Sequence, residues 1–156
     1  MQLTVIAVSR RPPRWLATGI EEYTRRLPPD MKLRITELAP ARRSSKTTPQ
    51  NIRVREAKRI AAAVPGGARV IVLDERGRQL TTQQWADQLQ EWQLDNNDVV
   101  FVIGGAEGLD PAVREWAHDT WALSRLTLPH GIARLLLVEQ IYRAWSLLSN
   151  HPYHRE

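Results

Sequence analysis

Apolar residues recur along this chain in two alternating rhythms. Short runs rich in β-branched residues, Leu3–Val8, Leu33–Leu38, Arg69–Leu73 and Val99–Ile103, read as strands, with a fifth around Trp121–Ser124. Between them the period lengthens to that of a helix. In the first such stretch Leu16, Ile20, Tyr23 and Leu27 fall on one helical face. The predicted helices run from Pro13 to Leu27, Pro49 to Val64, Thr82 to Trp92, Pro111 to His118 and Ile132 to Ser149. Thr48-Pro49 and Asp110-Pro111 each pair an N-cap with a proline, whose missing N–H is harmless in a first turn. Pro65-Gly66-Gly67 stops the second helix.

Strands alternating with helices predict an α/β fold: a mostly parallel sheet of five or six strands flanked by helices, with residues 1–156 as a single domain. No internal repeat or linker interrupts the pattern, and the longest loop, Ala39 to Thr47, is polar and basic. Ligands of such sheets bind beyond the carboxyl ends of the strands. Here those ends are Leu73-Asp74-Glu75, Ile103-Gly104-Gly105 and Leu123-Ser124-Arg125. The second is the most distinctive, because Val99–Ile103 breaks off into Gly104, Gly105 and Gly108 before the Asp110-Pro111 helix start. Glycines there allow backbone to approach a ligand closely. The G-G-x-x-G spacing matches neither a P-loop nor the dinucleotide fingerprint, and no G-x-S-x-G hydrolase motif is present.

The last helix departs from the amphipathic rule. Ile132, Ala133, Leu135 to Val138, Ile141, Tyr142, Ala144, Trp145, Leu147 and Leu148 cover most of its circumference. One sheet face cannot easily bury such a helix alone; a homodimer interface is the simplest explanation, and an entirely intramolecular core is the other reading. Arg134, Glu139, Gln140 and Arg143 in the same helix argue against a membrane span, and Glu139 and Arg143 are placed to pair one turn apart.

Charge adds a partner class. Lys and Arg number 22 against 17 Asp and Glu, a net charge of +5, and the isoelectric point lies near 10.2. Arg42, Arg43, Lys46, Arg53, Arg55, Lys58 and Arg59 cluster around the single acid Glu56. The cluster reads either as a solvated helix face or as a phosphate-contacting surface. The chain has no cysteine, so disulfides and thiolate metal sites are excluded. The opening run carries no signal-peptide pattern, and the cytoplasm is the expected location. The tail His151-Pro152-Tyr153-His154-Arg155-Glu156 holds two histidines and one carboxylate, too few ligands for a metal.

Three segments carry a family resemblance: Gly104–Gly108, Leu123-Ser124-Arg125-Leu126-Thr127-Leu128-Pro129-His130, and His151 to Glu156. With Val72-Leu73-Asp74 and Tyr142-Arg143-Ala144-Trp145, and over essentially the whole chain, they resemble the RlmH (YbeA-type) methyltransferases of the SPOUT class. Two departures are Ala106, where the family has proline, and Gly131, where a larger residue is usual; neither removes a reactive group. The resemblance implies a SPOUT fold with a C-terminal trefoil knot, and an S-adenosylmethionine-dependent enzyme that methylates N3 of a pseudouridine in 23S ribosomal RNA, on the assembled ribosome. Carried over by position, S-adenosylmethionine would contact Leu73, Gly104, Leu123, Ser124, Arg125, Leu126, Thr127 and Leu128. His154 would serve as the base, Arg155 would hold a phosphate or the negative charge developing on the base carbonyls, and Tyr153 would stack on the target base. The implied partners are the ribosome and a second copy of the chain, with no metal and no membrane. Two other readings stay open: a non-catalytic RNA- or ribosome-binding protein, and a flavodoxin-like enzyme binding a phosphorylated ligand at Gly104–Gly108.

Overall fold

The computed structural model describes residues 1–155. The strands are β1 (Gln2–Val8), β2 (Lys32–Leu38), β3 (Arg69–Gln79), β4 (Val99–Ile103) and β5 (Asp119–Ala122). The helices are α1 (Arg14–Arg26), α2 (Pro49–Ala63), α3 (Thr82–Leu94), α4 (Pro111–Trp116) and α5 (His130–Leu148), followed by a 3₁₀ turn at Pro152–Arg155. The five strands lie in the order β2-β1-β4-β3-β5 and every pair is parallel. The α/β expectation holds, with five strands among the described residues. β4 fills the gap between β1 and β3, so all of Val99–Ile103 is buried on both faces. A continuous apolar run suits such a position.

Successive side chains of each strand point to opposite faces, and two cores result. Leu3, Val5, Ala7, Val99, Phe101 and Ile103 meet α3 and α5 on one face. Ile6, Val8, Val70, Val72, Val100 and Val102 meet α2 and α4 on the other. The first core is built on aromatics: Trp121 stacks on Trp92 at 5.5 Å between centroids and takes the edge of Trp85 at 4.8 Å. Offset and edge-on pairs of this kind add to the area they bury.

The anticipated caps are formed. Thr48 Oγ1 accepts from Asn51 N, and Asp110 Oδ1 accepts from Ala112 N. α3 is also fixed by a reciprocal box between Thr81 and Gln84 that its sequence, Thr-x-x-Gln, encodes.

Two strand boundaries differ from expectation. β5 begins and ends two residues before the expected Trp121–Ser124, because His118 already pairs with β3: its N–H donates to Val70 O, and its Nδ1 accepts from Val70 N. β3 runs six residues past Leu73, staying beside β5 through a register shift between Leu73 and Arg78. Gly77 makes this possible, since a Cβ there would lie 2.7 Å from Thr120 O.

α5 is covered more fully than one sheet face could manage. α1 packs along it, with Gly19 beside Leu135 and with Leu16 and Ile20 against Val138. Gly131 admits Leu16, as a Cβ there would lie 2.5 Å from Leu16 Cδ2. Leu136 nevertheless stays exposed on α5, as does Trp15 on α1.

Candidate active site

Two clefts open at the carboxyl edge of the sheet, on either side of the Gly104–Gly108 turn. The first, about 590 Å³, lies beyond β3 and β4. Leu73, Gly104, Leu123, Ser124, Leu126, Thr127 and Leu128 all line it. Of the eight residues expected around the cofactor, only Arg125 is not among the lining residues, and it is exposed. Topology explains the convergence: β4 and β3 are neighbours, and the chain leaving β5 returns past their ends before entering α5.

Local bonds hold these walls. Gly108, at φ +77°, closes a tight turn with its N–H donating to Gly105 O at 3.0 Å. Gly104 has a second duty, because a Cβ on it would lie 2.7 Å from Leu109 Cγ, and Leu109 is buried. The glycine therefore serves packing as well as ligand access. Ser124 Oγ accepts from Leu126 N at 2.9 Å, and Thr127 Oγ1 donates to Glu75 Oε2 at 2.9 Å, fastening the 123–129 loop to the middle of β3.

Asp74, on the rim, accepts from Arg76 N and Nε and from Arg114 Nη1 at 2.8 Å. These bonds, Arg76's foremost, hold its carboxyl down from 3.8 to about 2, against the opposing effect of burial. The cleft thus has leucine and glycine-backbone walls and an acidic rim of Asp74, Glu75 and Glu107. That donor set fits S-adenosylmethionine: apolar walls for adenine, free backbone groups for its edge, and carboxylates near a sulfonium.

The second cleft, about 1000 Å³, lies beyond β1 and β2 and shares Ala106 and His130 with the first. Its floor holds two buried charges that sequence reasoning did not single out as site residues. Arg134 is 1 % exposed; its Nη1 donates to Glu37 Oε1 at 3.1 Å and its Nη2 bonds Ser9 Oγ, while its Nε has no partner among the described residues. Glu56 is 4 % exposed; its Oε2 accepts from Ala41 N at 3.0 Å, while its Oε1 likewise has none among them. The available signal for Arg134 was one of two arginines within the apolar run of α5; for Glu56 it was a lone acid inside the basic cluster. Arg10, Arg11, Arg42 and Arg43 complete the lining. Arg43 reaches Glu107 of the glycine turn at 2.8 Å, tying the basic loop to the first cleft. Of the remaining cluster, Lys46, Arg55 and Lys58 are exposed, and Arg59 donates to Ala39 O at 2.6 Å.

The tail stands apart. The 3₁₀ turn folds back on α5, where the Tyr153 hydroxyl bonds Glu139 Oε1 at 3.0 Å and Tyr23 at 3.1 Å. Its ring lies 4.7 Å from Tyr142 and under the Arg143 guanidinium at 4.8 Å. Burial, then the Tyr23 hydroxyl and Glu139, push the Tyr153 phenol up from 10.0. Glu139 and Arg143 do pair, at 2.8 Å. Stacking on a base would require Tyr153 to give up these contacts; as placed, it anchors the tail. His154 is half-buried with Nδ1 against His151 O, and Arg155 is exposed.

Glu139, the nearest anchor, is nine residues beyond His130 on α5, about 13 Å along the axis at 1.5 Å per residue. No residue of 151–155 lines either cleft. The structure brings together seven of the eight residues expected around a cofactor and leaves the tail of the same chain away from them.

Comparison with known proteins bears on this geometry. A family model described as "Predicted SPOUT methyltransferase" matches residues 1–154. The chain is 50% identical to the Ribosomal RNA large subunit methyltransferase H of Ralstonia nicotianae, and 50% identical to the protein of that name from Burkholderia thailandensis, in each case over 99% of both chains. With a matched model spanning nearly its full length and relatives this similar end to end, the chain belongs to the SPOUT methyltransferase family.

Proposed function

We propose that this protein is an S-adenosylmethionine-dependent methyltransferase that acts at N3 of a pseudouridine in large-subunit ribosomal RNA, in the cytoplasm, as a homodimer. The observation carrying this reading is the first cleft, where residues far apart in sequence form one leucine- and glycine-walled pocket beneath an acidic rim. In the trefoil knot that the family resemblance implies, the 123–129 loop is one crossing. S-adenosylmethionine supplies the activated methyl group, leaving the chain to position the base and remove one proton.

His154 suits the proton step. A carbonyl oxygen only accepts, so the contact with His151 O puts the ring hydrogen on Nδ1 and leaves Nε2 to take a proton. Arg155, exposed beside it, supplies a cation for phosphate or developing carbonyl charge.

Separation of tail and cleft within one chain makes the second copy part of this proposal: each tail completes the partner's cofactor cleft. Exposed Trp15 and Leu136 offer apolar surface for the contact. The test mixes two variants that are each inactive alone, Leu126→Arg at the cofactor and His154→Ala in the tail. At equal mixing half the dimers are hybrids with one of two sites intact, so activity should return to about a quarter of wild type. Failure of the mixture to regain activity, with hybrid dimers shown by mass, would exclude sharing between subunits. A wild-type protein that binds ribosomes but shows no S-adenosylmethionine affinity by calorimetry would instead be an RNA-binding protein.

A further inference from the structure

The second cleft has no role in the proposal above, yet it is the larger of the two and carries buried charge that the fold does not fully satisfy. Arg134 is closed off from water with two nitrogens engaged and Nε unused. Buried donors without an acceptor are rare in folded proteins and costly, so an unused one in a cleft wall points to a ligand. Glu56 offers the complementary case, an acceptor oxygen with no donor. At the mouth, Arg10, Arg11 and Arg42 are without carboxylate partners among the described residues. The cations converge from three separate segments, before α1, before α2 and within α5, which the fold gathers into one concave surface.

We propose that this cleft receives the nucleotide to be methylated, with its flanking phosphates on Arg10, Arg11 and Arg42 and its base against Arg134, whose Nε donates to a base carbonyl. Single-stranded RNA is read by hydrogen bonds to exposed base edges, while arginines hold the backbone without regard to sequence. Ala106 and His130 line both clefts, so the two adjoin, and a base seated in the second lies next to the cofactor proposed for the first. The Arg43–Glu107 pair at their boundary fixes the basic loop to the cofactor turn. Glu37 and Ser9 orient Arg134 and leave its third donor for the substrate. The inference rests on the reading of the protein as an RNA methyltransferase.

The experiment uses assembled ribosomes from cells lacking this methyl group, and reads particle binding by cosedimentation separately from methyl transfer. Arg11→Glu and Arg42→Glu change exposed side chains, so the fold should be unaffected. Each should raise KM for the particles at least tenfold with S-adenosylmethionine affinity unchanged. The slope of log affinity against log salt should flatten by about one for each phosphate no longer neutralised. Arg134→Lys keeps the charge but loses the planar fork, and should lower kcat tenfold or more at saturating particles. An unchanged KM in both rim variants would overturn the proposal, and so would a loss of S-adenosylmethionine affinity, which would assign the cleft to the cofactor. A wild-type protein that binds particles through these arginines but transfers no methyl group would keep the cleft and overturn the enzymatic reading.

Discussion

The two clefts share a sheet edge and are built on opposite chemical terms. In the first, polar groups are satisfied within the protein: Asp74 by Arg76 and Arg114, Glu75 by Thr127, Ser124 by Leu126. What remains for a ligand is shape, apolar wall and glycine backbone. In the second, charges lie under the surface with atoms left over, Nε of Arg134 and Oε1 of Glu56. A preformed pocket whose charges are already paired suits a ligand that must be held in one pose and released after each turnover. An under-satisfied, charged one suits a polyanion whose arrival completes the hydrogen bonding. Stability should follow the same division, with the second cleft depending more on its few charge pairs.

The largest effect expected on that comparison comes from Glu37. Glu37→Ala removes the one carboxylate that pairs with Arg134, leaving its guanidinium buried and uncompensated. Breaking a buried pair from one side costs about 3–5 kcal/mol, and the partial exposure of Glu37 puts this case at the lower end. About 3 kcal/mol corresponds to a fall in Tm of roughly 6–12 °C for a chain of this size. A change under 2 °C in a thermal melt would show that Arg134 is hydrated and that the clefts do not differ in this way.

Leu126→Arg probes the other side. The side chain is 72% exposed on the cofactor rim, so the melt should be unchanged. A cation there opposes a sulfonium, and S-adenosylmethionine affinity should fall about 100-fold, or about 2.7 kcal/mol. Particle binding should stay within twofold. Equal loss of both affinities would mean that the two clefts act as one site.

The contrast also explains what the sequence disclosed. The first cleft was partly legible because one of its makers is a local pattern, a buried strand ending in glycines; the full 123–128 run was added by the family resemblance. The strand-end rule alone located Leu73, Gly104 and Leu123. The second cleft draws on residues 8–13, 37–43, Glu56 and 130–134, which no periodicity connects. The basic cluster was visible; that Glu56 within it is buried depends on the 39–41 loop folding over α2. That α1 packs along the last helix depends on Gly19 and Gly131, and a missing side chain leaves no mark in a hydrophobic pattern. Nor does periodicity show that the 3₁₀ turn folds back on Tyr142, which fixes the tail away from its own chain's clefts.

The smallest effect, and the one most tied to conditions, belongs to Asp74. Its carboxyl ionises near pH 2 when folded, against an ordinary 3.8, because Arg76 and Arg114 favour the charged form. Below pH 2 the carboxyl is protonated in both folded and unfolded chains, and it adds no stability. Above pH 4 it is charged in both and contributes its full share. That share accrues as pH rises through the interval, because there the unfolded chain binds the extra proton. Just under two units corresponds to about 2 kcal/mol, an upper figure given that Arg76 is well exposed. Wild type should therefore exceed Asp74→Asn in denaturant midpoint at pH 7, with the gap shrinking between pH 4 and pH 2. A gap that stays constant across that interval would mean that shape at this rim position, rather than ionisation, holds the middle of β3 to α4. The first cleft would then owe nothing to charge, and its contrast with the second would be sharper still.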